Sequence, residues 1–155
     1  MNVQIVQQPP IPVVMIRHTG SYDDLEQEFE RLYNWVVSNN IPVQRTIGMF
    51  YDNPDYTPKN RLRSAACFEV AVGYQPQGLT SGIEFGEVPG AQYATMRYIG
   101  PYDQMEPVWS SFTNHIEKNL NRRISEDIPA LEIYVNDPET TPPQQLITDL
   151  YMPVI

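Results

Sequence analysis

The feature that most limits how this chain can fold is an internal duplication. V-M-I-R-H-T-G-S-Y-D-D-L at 14–25 returns as A-T-M-R-Y-I-G-P-Y-D-Q-M at 94–105, so that Arg17, Gly20, Tyr22 and Asp23 match Arg97, Gly100, Tyr102 and Asp103. Each motif is followed by apolar residues at helical spacing: Leu25, Phe29, Leu32 and Val36 in one copy, Met105, Trp109, Phe112 and Ile116 in the other. Further on, F-Y-D-N-P-D-Y-T-P-K-N-R-L at 50–62 returns, with one inserted residue, as I-Y-V-N-D-P-E-T-T-P-P-Q-Q-L at 133–146. Each copy reads strand–helix–strand–strand. The expected fold is therefore α+β: two pseudo-symmetric βαββ modules, at about 13–72 and 93–154, form an antiparallel sheet with two helices within a single domain, 1–155. A seam between modules is a natural place for a central ligand cleft.

The remaining elements follow from local signals. Val3–Gln7 alternates apolar and polar residues and reads as a short edge strand, and Val13–His18 as a longer one. Gly20-Ser21 supplies a turn and an N-cap for a helix over about Tyr22–Asn39, which Asn39-Asn40 and Pro42 terminate. Arg45–Tyr51 and Ser64–Gly73 read as strands, and Gly82–Val88 leads through Pro89-Gly90 into Gln92–Ile99 as a hairpin.

Pro129–Pro138, P-A-L-E-I-Y-V-N-D-P, is a strand in which Leu131, Ile133 and Val135 alternate with Ala130, Glu132 and Tyr134. Glu132 is the misfit. Such a carboxylate is either solvent-facing or held in an apolar site, where an unpaired charge raises its pKa or waits for a cation. In the duplication as aligned above, Tyr134 matches Tyr51 and Glu132 matches Met49. One half supplies a thioether where the other supplies a carboxylate, which marks Glu132 as placed for a purpose other than folding.

Composition narrows the partners. With 19 acidic against 10 basic residues the net charge is −9, which disfavours direct nucleic-acid binding and favours cations. Cys67 is the single cysteine, so no intramolecular disulfide or thiolate cluster forms. His18 and His115 do not align in the duplication and lack neighbours at metal-ligand spacing, so no metal site is expected. No nucleotide-binding glycine motif, serine-hydrolase motif or other cofactor signature is present. No export signal or membrane-spanning run is evident, and the expected location is the cytoplasm. The acidic residues Asp23, Asp24, Glu26, Glu28 and Glu30 read as a solvated helix face, or more sharply as a surface mimicking DNA phosphate.

Taken together, the G-x-Y-then-helix units, F-Y-D-N-P-D-Y-T-P (50–58), G-E-V-P-G-A-Q-Y-A (86–94) and A-L-E-I-Y-V-N-D (130–137) resemble the GyrI-like effector-binding domains. That family includes the stand-alone gyrase-inhibitory protein and the ligand domains of AraC- and MerR-type multidrug regulators. The resemblance covers about residues 1–155. It implies a pair of βαββ modules around a cleft, and in drug-binding members a Glu at the base of an aromatic cleft that pairs with lipophilic cations. That Glu falls on Glu132 and its companion Tyr on Tyr134, with Tyr51, Trp109 and Met49 as further ligand-binding candidates. No DNA-binding module precedes Val13, so a regulatory role requires a separate DNA-binding partner.

Three functions follow. The leading one is a stand-alone module that binds lipophilic, drug-like organic cations rather than an enzyme. The second, implied by hydrolytic relatives, is hydrolysis of reactive cyclopropanoid-type electrophiles with Glu132 as general base. The third is gyrase inhibition or another protein-interaction role.

Overall fold

The computed structural model describes residues 1–75, 77–80 and 82–155. In chain order the strands are β1 (Gln4–Gln8), β2 (Ile11–Thr19), β3 (Thr46–Phe50), β4 (Arg63–Glu69), β5 (Glu84–Val88), β6 (Ala91–Ile99), β7 (Ala130–Tyr134) and β8 (Ile147–Pro153), and the helices are α1 (Leu25–Ser38) and α2 (Met105–Lys118). The fold is α+β, and the chain divides into two units. The first is Pro10–Pro89; the second is Met1–Pro9 together with Gly90–Ile155.

In the first unit the antiparallel sheet runs β3-β4-β2-β5. α1 lays Leu25, Leu32 and Val36, with the half-buried Phe29, onto that sheet, as their spacing predicts. Val14, Ile16, Phe68 and Val70 receive them. The opposite sheet face is buried as well, with Val13, Met15, Ile47, Met49 and Cys67 all excluded from solvent. Burial on both faces explains why β2 reads as the continuous run V-V-M-I rather than as an alternation.

In the second unit the order is β1-β6-β8-β7, again antiparallel throughout. α2 buries Met105, Phe112 and Ile116 against Ala94, Leu150 and Val154, with Trp109 half-buried beside them. Both helices begin through a short 3-10 turn, Tyr22–Asp24 or Tyr102–Gln104, and Ser21 Oγ accepts the Asp23 N–H at 3.2 Å in the first of them. Asn40 and Asn121, each at φ 54°, end the helices in the left-handed conformation that Asn tolerates.

Several expectations change. No hairpin joins β5 to β6: β5 pairs with β2, and β6 with β1 and β8, so Pro89-Gly90 is the crossing from one unit to the other. Gly86 fits β5 to that place, because a Cβ there would come within 2.7 Å of Met15 Cε. The strand expected over Ser64–Gly73 stops at Glu69, where the Val70 N–H turns to the Pro12 carbonyl.

The alignment of the duplicated segments also shifts. The Tyr51 N–H donates to the Arg63 carbonyl, and in the second unit the Val135 N–H donates to that of Ile147. Asp52 Oδ2 accepts the Arg63 N–H and Asn136 Oδ1 the Ile147 N–H. Phe50 stands opposite Ser64 in its ladder as Tyr134 stands opposite Thr148. Residues 50–62 and 134–146 thus correspond without an insertion. Phe50, not Tyr51, matches Tyr134; Gly48, not Met49, matches Glu132.

Phe112 is wholly buried, so Phe112→Ala is expected to destabilise by about 3–5 kcal/mol through the cavity it leaves. Phe29→Ala, at the half-buried counterpart of Trp109, is expected to lose less. Urea unfolding of both variants checks the order, and equal losses would contradict the packing described.

Candidate functional site

β7 carries two kinds of face. Leu131 and Ile133 are buried on one, while Glu132 and Tyr134 project from the other, opposite Leu150 and Thr148 of β8. Leu150 packs beneath α2, so Glu132 lies on the helix side of its sheet, mostly withdrawn from water. The choice left open by the sequence, a solvated strand face or an apolar site, is decided for the second.

α2 supplies the first partner. Trp109, one turn beyond Met105, donates its indole Nε1–H to Glu132 Oε2 at 2.7 Å. Tyr134, two residues along the same strand face, donates its hydroxyl to Oε1, also at 2.7 Å. The Tyr102 ring stands edge-on to Tyr134 with centroids 5.5 Å apart, and Trp109 leans on Phe112 at 5.8 Å. Burial pushes the Glu132 carboxyl above the usual carboxylate range, and the bonds from Tyr134 and Trp109 pull it partly back. Tyr102 is likewise raised, first by its own burial and then by the nearby Glu132 and Asp137 carboxylates.

Both donors to Glu132 are neutral. Among the described residues the ion pairs engage Arg17, Arg31, Arg45, Arg63 and Arg97, and none includes Glu132. Its carboxylate is therefore oriented and hydrogen-bonded, yet its charge is not cancelled. With one donor on each oxygen, lone-pair positions remain for a ligand. Such a group suits either of two tasks, holding an organic cation or taking a proton from a water molecule.

Of the five residues singled out by sequence, the structure brings together Glu132, Tyr134 and Trp109. Met49 and Tyr51 belong to the first unit, on the face of β3 away from α1. There the Tyr51 hydroxyl reaches Met49 Sδ at 3.8 Å and the Arg63 guanidinium lies 5.6 Å from the Tyr51 ring centre. Tyr102 was not anticipated. Its signal was present, since it is the Tyr of the duplicated G-x-Y motif, and its counterpart Tyr22 packs edge-on to Phe50 at 4.9 Å.

The matched positions of the first unit sharpen the picture. Where the second unit has Glu132, Trp109 and Tyr134, the first has Gly48, Phe29 and Phe50. The carboxylate and both of its donors are replaced by groups that neither donate nor accept. No helix among the described residues is long and apolar enough to cross a membrane.

A family model described as the GyrI-like small molecule binding domain matches residues 1–155. The chain belongs to the GyrI-like family. A DNA gyrase inhibitor from Escherichia coli (strain K12) is 29% identical over 140 residues, spanning 88% of this chain and 87% of that protein. The EcmrR chain of an EcmrR–DNA complex superposes with a TM-score of 0.82 at 14% identity, covering 99% of this chain; the GyrI-like chain spans 57% of that one's length. SAV2435 bound to tetraphenylphosphonium superposes with a TM-score of 0.67 at 15% identity, covering 100% of this chain and 94% of the other.

The raised Glu132 pKa of this GyrI-like domain has a sign in stability. The unfolded chain ionises near 4.5 and the folded one at higher pH, so the stabilising effect of the protonated form is present at acid pH and lost as pH rises through the folded value. Glu132→Gln removes that loss. The stability of the variant relative to the natural protein is expected to improve from pH 4 to pH 7 in urea melts; a constant difference would place the carboxyl in water.

Proposed function

We propose that this GyrI-like domain binds lipophilic organic cations at Glu132, with Trp109, Tyr134 and Tyr102 as the surrounding aromatic surface. The observation that carries this reading is a carboxylate inside a helix–sheet layer whose two partners are both uncharged. A cation relieves what those donors leave, an uncompensated negative charge away from water. Aromatic rings favour such a guest through area and through cation–π attraction of about 0.5–2 kcal/mol per well-placed ring. A neutral molecule of the same shape gains the area but leaves the charge unanswered. The relative crystallised with tetraphenylphosphonium is consistent with this class of ligand.

On this reading residues 1–155 work as one binding domain assembled from two copies of a βαββ module. The second copy carries the charge-selecting group, and the first keeps Gly48, Phe29 and Phe50 at the same positions. Gyrase inhibition belongs to the named Escherichia coli relative. In this chain Asp23, Asp24, Glu26 and Glu30 of the 3-10 turn and α1 are exposed and form a solvated acidic face.

Calorimetry with tetraphenylphosphonium and with neutral triphenylphosphine oxide tests the reading. The cation is expected to bind and the neutral compound to bind more weakly. Glu132→Gln is expected to weaken the cation by about 1.5–3 kcal/mol while leaving the neutral compound nearly unchanged. Because only the ionised carboxylate attracts a cation, affinity should also fall as pH drops through the folded pKa of Glu132. Equal losses for both compounds would make Glu132 a structural residue. Consumption of a cyclopropanoid electrophile, abolished by Glu132→Gln, would replace binding by hydrolysis.

A further inference from the structure

A second polar constellation lies wholly within the first unit. Arg17, His18, Thr19, Tyr51, Arg63 and Ser64 line a pocket of about 130 Å³. A single water needs roughly 10–15 Å³ of such volume, so a polyatomic ion has room. The ladder between β2 and β4 builds it: Thr19 pairs with Arg63 and His18 with Ser64, while Arg17 stands two residues before Thr19 on the same face.

The free groups here are overwhelmingly donors. Arg17 gives Nε–H to Glu84 Oε2 at 2.9 Å, and its two terminal nitrogens have no partner among the described residues. Arg63 gives Nε and Nη2 to Asp52 at 3.0 and 2.9 Å and keeps Nη1. Both nearby carboxylates are thereby committed to guanidinium groups. The Tyr51 hydroxyl has found a thioether at 3.8 Å, a weak acceptor that any oxygen would displace. Burial keeps the Tyr51 phenol above its ordinary range, against the pull of Arg17, so it stays protonated and able to donate. Ser64 borders the pocket, but its side chain leaves β4 on the other face, with His18 and Phe50.

The second unit shows that the fold does not require these side chains. The positions of Thr19, Tyr51 and Arg63 are taken there by Ile99, Val135 and Ile147, and Ile99 and Val135 are 61% and 47% exposed. The counterpart of Arg17 is Arg97, which is closed off by Asp149 through Nε and Nη2 at 2.8 and 3.1 Å. At the positions of Thr19, Tyr51 and Arg63 the first unit is polar and the second aliphatic, and Arg17 and Arg63 leave guanidinium nitrogens unspent.

The geometry points to a binding site in the first unit for a compact oxyanion, a carboxylate or a phosphate, held by Arg17 and Arg63 with the Tyr51 and Thr19 hydroxyls. Guanidinium forks match planar or tetrahedral oxyanions. The net charge of −9 opposes long-range attraction, so recognition is by contact and the affinity expected is in the millimolar range. Occupancy does not depend on the role proposed for Glu132.

The test is an amide NMR titration of the full chain with sodium phosphate and, separately, sodium acetate, each against sodium chloride at equal ionic strength and pH. Saturable shifts centred on Thr19, Tyr51 and Ser64 are expected with one or both oxyanions and not with chloride; phosphate or acetate acting alone assigns the class. Arg17→Met is expected to weaken binding about tenfold or more, as loss of a charged hydrogen bond implies. Tyr51→Phe, which removes one oxygen and keeps the ring, is expected to weaken it several-fold. Arg97→Met, which removes a guanidinium from the other unit, and Glu132→Gln should leave it unchanged. Shifts that follow chloride equally, that do not saturate, or that survive both Arg17→Met and Tyr51→Phe would overturn the assignment.

Discussion

Two backbone hydrogen bonds hold the geometry on which both units depend: the Gly20 N–H to the Leu62 carbonyl at 2.8 Å, and the Gly100 N–H to the Leu146 carbonyl at 2.9 Å. Each ties the end of a long strand to the connection between the two strands that follow the helix, so that the chain turns at once into a helix lying on its own sheet. The glycines sit at φ +135° and +153°, where a side chain would be strained. At Gly100 a Cβ would also approach the Tyr98 hydroxyl to 2.7 Å. Two residues later the turn delivers Tyr22 or Tyr102 onto the ring at position 50 or 134. The aromatic neighbour of the Glu132 site is thus placed by a glycine turn, not by the strand that carries the carboxylate.

On this shared frame the helix–sheet layers diverge in a correlated way. A carboxylate at position 132 without Trp109 and Tyr134 would lie in an apolar layer with no donor, at a cost of several kcal/mol. The first unit, with Phe29 and Phe50 at the donor positions, carries Gly48 where a carboxylate would have been unsupported. The three positions are therefore one physical unit, and no member of it makes sense alone. The same divergence runs the other way on the opposite face of the strands, where the first unit carries Thr19, Tyr51 and Arg63 and the second Ile99, Val135 and Ile147.

Much of this was legible in the sequence because local chemistry dictates it. The G-x-Y motifs, the two apolar stripes and the Asn39-Asn40 end of the first helix each reflect a backbone or burial requirement that acts within a few residues. Glu132 was legible as a carboxylate in a strand, and Trp109 as a member of its apolar stripe. Two readings failed for definite reasons. Pro89-Gly90 has the composition of a hairpin turn, but composition does not say which neighbour a strand pairs with, and β5 found β2. Matching Tyr51 to Tyr134 by identity introduced a slip of one residue. In a strand that slip exchanges the faces, which is why Met49 and Tyr51 were grouped with Glu132 although their side chains leave β3 on the face away from α1. Tyr102 was missed because its role exists only once the turn has folded it onto Tyr134.

The neutrality of the two donors is what makes the Glu132 arrangement suited to a ligand. A Lys or Arg in the place of Trp109 would orient the carboxylate equally well and cancel its charge, leaving nothing for a guest to complete. Neutral donors fix the oxygens at 2.7 Å while the desolvation of the charge remains only partly offset. The folded protein thereby carries a local instability that grows as the group ionises, and any cation that reaches the carboxylate relieves it. On the proposed reading, stability given up at Glu132 reappears as binding free energy when a cation is held there.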